Sequence, residues 1–127
     1  MKDPTGTLSN GVYGQFTVPQ NYVGTAAVIP VWTTTATSGT ATFRVTYRTV
    51  GGDDTTSLDQ SSNEEQVTLN DIAPTAAHRR MTPSASLTSA NLAAGETVEF
   101  FFERYYTPDS IAADLLLFDV IFQYADA

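Results

Sequence analysis

Apolar and polar positions alternate with a period of two along most of this chain, and no stretch sustains the spacing of an amphipathic helix. The cleanest alternation covers residues 41–48. Ala41, Phe43, Val45 and Tyr47 point one way, and Thr42, Arg44, Thr46 and Arg48 the other, which predicts a strand with one buried face and one wet face. The most apolar run is LLLFDVIFQY, residues 115–124. Strict alternation puts Leu116, Phe118, Val120, Phe122 and Tyr124 on one face and Leu115, Leu117, Asp119, Ile121 and Gln123 on the other. The first face is the expected core contribution. The second is more apolar than a free-standing two-layer domain needs. Leaving Leu115, Leu117 and Ile121 in water forfeits roughly 1.5–3 kcal/mol per side chain, so a second subunit is expected to cover them.

Other strands follow from the same pattern. Residues 11–18 alternate Val12, Gly14, Phe16 and Val18 with Tyr13, Gln15 and Thr17, and stop at Pro19. Residues 25–35 form a second strand in which Pro30 cannot donate a ladder bond, which predicts an edge or a bulge. Ser38-Gly39 marks a tight turn into the next strand. A short strand is expected at 66–69 and a longer one at 80–88, where Pro83 again argues for an edge. Residues 96–106 read as a strong strand, with Val98, Phe100 and Phe102 opposite Glu99, Phe101, Glu103 and Tyr105. It is joined by a short connector to the closing strand, and the two are expected to pair as antiparallel neighbours. Residues 51–63, GGDDTTSLDQSSN, form a polar loop of a length that is often functional. Residues 1–10 read as a flexible arm ahead of one domain spanning 11–127. Seven strands, or eight with the arm, separated by turn signals predict an all-β antiparallel sandwich of jelly-roll or immunoglobulin-like type. The Cys–Trp–Cys hallmark of true immunoglobulin domains is absent, so the expectation is jelly-roll-like.

Composition supports strand and narrows function. About one residue in six is threonine, and Lys and Arg together number only 6 against 14 Asp and Glu, a net charge of −8. Nucleic-acid binding needs a basic face to neutralise phosphates, so DNA and RNA are not expected partners. No cysteine is present, which removes disulfides and thiolate metal sites. The first residues carry no apolar signal-peptide core, and no run is long enough for a membrane helix.

Catalytic chemistry finds no purchase. Nucleophilic catalysis needs a Ser or Cys against an oriented base. There is no G-x-S-x-G elbow, and the one histidine, His78, sits in a Thr-Ala-Ala-His-Arg-Arg connector that reads as solvated. Glu99 and Glu103 share a strand face about 13 Å apart, too far for a glycosidase pair. Asp53, Asp54 and Asp59 do not follow the calcium-loop spacing. No enzyme activity, cofactor or metal is expected. Exposed aromatics are the better lead, because Tyr13, Tyr22, Trp32, Phe101, Tyr105 and Tyr106 cannot all fit one two-layer core.

Five stretches carry a resemblance: VYGQFTVPQNYVG, VWTTTATSGTATF, YRTVGGDDTTSLDQ, APTAAHRRM and LLLFDVIFQYADA. From residue 11 onward the chain resembles small tailed-bacteriophage structural proteins of the virion surface, β-sandwich modules that serve as capsid decoration, head-fibre or tail-associated subunits. The resemblance implies a non-enzymatic decoration subunit at the virion surface, present in the host cytoplasm during assembly. It also implies self-association, often as a homotrimer, and docking on a major capsid or other virion protein. It carries over no binding residue. On the residues themselves, Leu115, Leu117 and Ile121 with Phe101 and Tyr105 are the candidate contact surface. A competing reading is a carbohydrate-binding module or a receptor-binding tip, stacking sugar rings on Trp32, Tyr22 or Tyr105.

Overall fold

The computed structural model describes residues 1, 10–50 and 64–126. The expected arm, apart from its two ends, and the acidic loop with Asp53, Asp54 and Asp59 lie outside the described residues. The described residues form seven strands: β1 (Asn10–Thr17), β2 (Tyr22–Thr34), β3 (Thr40–Val50), β4 (Glu65–Ile72), β5 (Ala85–Leu87), β6 (Thr97–Arg104) and β7 (Leu115–Asp126). They form two antiparallel sheets, one in the order β1-β6-β3-β4 and one in the order β5-β2-β7. The chain is an antiparallel β-sandwich. Apart from β3 and β4, which pair within one sheet, successive strands cross between the sheets in the jelly-roll manner, and the described residues supply three strands to the second sheet. Among the described residues β7 is an outer strand of its sheet. Met1 meets it at Leu115, whose N–H donates to the Met1 carbonyl at 2.7 Å, and the Met1 ammonium donates back to the Leu115 carbonyl.

The inner face of β3 is as expected, with Ala41, Phe43, Val45 and Tyr47 all buried. Trp32 meets Phe43 edge-on at 5.5 Å, and Phe43 stacks on Phe102 at 5.5 Å, a chain of rings that joins the two sheets. Pro30 lies in an inner strand, yet the edge argument holds locally. Strand β5 is only three residues long and ends opposite Val28, and pairing resumes at the isolated Trp32–Met81 bridge, so Pro30 faces the gap. The expected strand over 80–88 is reduced to β5 and that bridge, while β4 is longer than its expected four residues.

Two expectations are corrected. Strands β6 and β7 are not neighbours: β6 lies between β1 and β3, and β7 pairs with β2 in the other sheet. Residues 105–114 carry the chain from one sheet to the other, and a buried pair sets their path. Arg104 is 0 % exposed and forks onto Asp109, Nε to Oδ2 at 3.0 Å and Nη2 to Oδ1 at 2.7 Å. Two more of its N–H groups donate to the carbonyls of Ala113, at 2.9 Å, and Ile111. Asp109 in turn accepts the backbone N–H groups of Thr42 and Ile111. The connector is thereby tied to the start of β3, not folded back as a hairpin.

The second correction concerns β7. Its pairing with β2 slips between Val31 and Trp32: Val31 opposes Asp119, Trp32 opposes Leu117, and Phe118 has no partner. This β-bulge reverses the facing of every residue before it. Leu115 is 0 % exposed and Leu117 packs on the core, whereas Leu116 and Phe118 are 54 % and 67 % exposed. Beyond the bulge, Val120, Phe122 and Tyr124 face inward as expected, Phe122 meeting Phe16 of the other sheet at 4.5 Å. Leu116 and Phe118 are therefore not core, and Leu115 and Leu117 are not available to a partner.

Strand β4 is pinned at its start by Glu65. Its carboxylate accepts from the Tyr47 hydroxyl, from Thr88 Oγ1 at 2.7 Å and from Asn91 Nδ2 at 2.8 Å. Burial pushes the Glu65 carboxyl upward, but these donors outweigh it and hold the group below its ordinary value of 4.5. A depressed folded pKa adds stability that is complete above the ordinary value and lost as pH falls through the folded one. Wild-type protein should lose more of its urea midpoint between about pH 5 and pH 3 than a Glu65→Gln variant does. Parallel pH curves for the two would remove the assignment.

Candidate functional site

Two outer surfaces carry side chains that the core does not use. The first is the outer face of the three-stranded sheet, where Leu116, Phe118 and Ile121 of β7 lie exposed. Ile121 sits opposite Ile29 in register, extending the apolar stripe onto β2.

The second is the outer face of the four-stranded sheet, an open trough of about 780 Å³. Register arranges its side chains in three rows across the strands. Gln15, Glu99 and Arg48 form one row, and Tyr13, Phe101, Thr46 and Gln66 the next. Glu103, Arg44 and Thr68 form the third. Rows on one face are about 7 Å apart, so the aromatic row is flanked by an ion pair on each side. Arg48 Nη2 lies 3.0 Å from Glu99 Oε2, and Arg44 Nη2 lies 2.8 Å from Glu103 Oε1. The Arg44 guanidinium also stacks 3.9 Å over the Tyr105 ring, while its buried Nε has no acceptor. Tyr13 is 85 % exposed and rests on Phe101, ring centres 4.5 Å apart.

The residues singled out in the sequence do not come together. Ile121 lies on the first surface, Phe101 and Tyr105 on the second, and Leu115 and Leu117 in the interior. Trp32 is 0 % exposed, and its indole N–H donates to Asp71 at 3.0 Å, so it presents no face to a sugar. Tyr22 is half-buried against the core and Tyr124. Trp32 is corrected as a stacking platform, because β2 is an inner strand and this side chain points between the sheets. His78 is exposed. Among the described residues, no three His, Asp or Glu side chains are placed to share a metal ion.

The arginine–glutamate rows were missed. Their signal was present: Arg44 and Arg48 stand four apart on one wet face, and Glu99 and Glu103 four apart on another. Matching the two pairs would have placed β3 beside β6. No family model matches the chain, and neither the curated proteins nor the solved structures provide a match.

Proposed function

We propose that this chain is a non-enzymatic assembly subunit that self-associates and docks on a larger lattice, of the virion-surface decoration kind that its sequence resembles. The observation that carries the reading is the exposed apolar row Leu116, Phe118 and Ile121 on the outer face of β7. Covering such side chains recovers roughly 1.5–3 kcal/mol each. Weak contacts of this kind become strong when a lattice repeats them. A homotrimer on a major capsid or other virion protein is the arrangement that the resemblance implies.

Sedimentation velocity on the purified chain tests self-association. An oligomer is expected at micromolar concentration, and Phe118→Ser, which removes the most exposed of the three side chains, should weaken it about tenfold or more. A strict monomer at high micromolar concentration would end the proposal, as would an oligomer indifferent to Phe118.

A further inference from the structure

The trough on the four-stranded sheet lies in the sheet opposite the one carrying the assembly surface, and nothing in the assembly reading uses it. We infer that it is a binding site for a neutral, hydroxyl-rich ligand, a carbohydrate chain lying across the strands. The charges set the ligand class. Arg44 and Arg48 are each engaged by a glutamate, and with Glu64 at the rim the lining holds two cationic and three anionic groups. A phosphate or sulfate meets no surplus of positive charge there, and the −8 chain around it repels polyanions. Ion pairs fixed by each other still offer N–H groups and carboxylate oxygens in set directions, which hydroxyls can use as both donors and acceptors.

The middle row supplies the rest. Tyr13 presents a ring to solvent on a rigid support. Phe101 packs beneath it, and Phe101 in turn lies over Gly11, where any Cβ would come within 2.5 Å of its ring. A tyrosine held this way offers a large contact area at little cost in side-chain entropy, which suits the C–H face of a sugar ring. Thr46 and Gln66 continue the row, which spans about 14 Å across four strands, longer than one sugar ring. A peptide is the poorer occupant. The floor of the trough is a sheet face that presents side chains, not a backbone ladder, and its described lining forms no deep apolar pocket for an anchoring side chain.

Isothermal titration of the full chain with maltohexaose, cellohexaose, mannohexaose and a linear galactan fragment tests the site, with chondroitin sulfate and polysialic acid as charged controls. Saturable binding of at least one neutral oligosaccharide is expected. Tyr13→Ala should weaken it about tenfold or more, Tyr13→Phe should retain most of it, and Ser86→Ala, on the other sheet, should leave it unchanged. Tyr13 is so exposed that its loss leaves the core intact, which a urea curve matching the wild type will verify. Binding to none of the neutral probes, binding only to the charged controls, or full affinity in Tyr13→Ala would each overturn the inference.

Discussion

Asp109→Ala will cost about 3–5 kcal/mol of folding stability, because it removes the carboxylate that forks onto the buried Arg104 guanidinium. That is a large share of the roughly 5–15 kcal/mol that holds a domain of this size. The loss is not only electrostatic. Asp109 also accepts the N–H groups of Thr42 and Ile111, so the start of β3 and the connector between the sheets lose their common anchor. A urea titration gives the magnitude, and a second variant separates the causes. Asp109→Ala/Arg104→Met removes the buried charge together with its partner, and should be less costly than the sum of the two single changes. The carbonyls of Ile111 and Ala113 then lose the donors Arg104 gave them, so recovery will be partial. An Asp109→Ala midpoint within about 0.5 kcal/mol of the wild type would show that the pair is not what holds this connector.

Trp32→Ala is expected to cost a further large sum, about 3–5 kcal/mol, since it empties the centre of the core. The ring touches Phe43, which stacks on Phe102, so the void opens where the two sheets meet. It also strands Asp71, whose carboxyl burial already pushes above the ordinary carboxylate range and which relies on the indole N–H as a donor. Trp32→Phe keeps most of the volume and loses the hydrogen bond, and should fall between wild type and alanine in urea. The order has a practical consequence. Any loss of ligand binding in Trp32→Ala reports damage to the fold, whereas the same loss in Tyr13→Ala reports the trough. A Trp32→Ala protein as stable as the wild type would contradict the buried placement.

The strand pattern was legible wherever one strand face met the core and the other met water. Residues 41–48 are the plainest case: the inner faces of β3 and β6 are as the alternation predicts, while on the opposite faces Thr42 and Glu103 are buried by their hydrogen-bond and ion-pair partners. The failures share one cause: a period of two says which side chains share a face, but not which strand lies alongside. The expectation that β6 and β7 pair came from a short connector alone. Arg104 and Asp109, five residues apart, are what turn that connector across the sandwich, and a buried arginine is indistinguishable from a surface one in a single sequence. Likewise Trp32 was counted among exposed aromatics because nothing local shows that β2 lies in the middle of its sheet.

β7 divides the two kinds of information most sharply. Its composition alone determines that it is a strand, that part of it is core, and that it carries more apolar surface than one sandwich face can hide. Only the tertiary structure decides which residues those are. The bulge at Phe118 exists because ten residues of β7 must match β2 at both ends, with Leu115 opposite Thr34 and Tyr124 opposite Ala26. One extra residue in that span turns Leu115 and Leu117 inward and Leu116 and Phe118 outward. Alternation is a property of the chain and can be read from it; register belongs to the pair of strands, and forms only when both are in place.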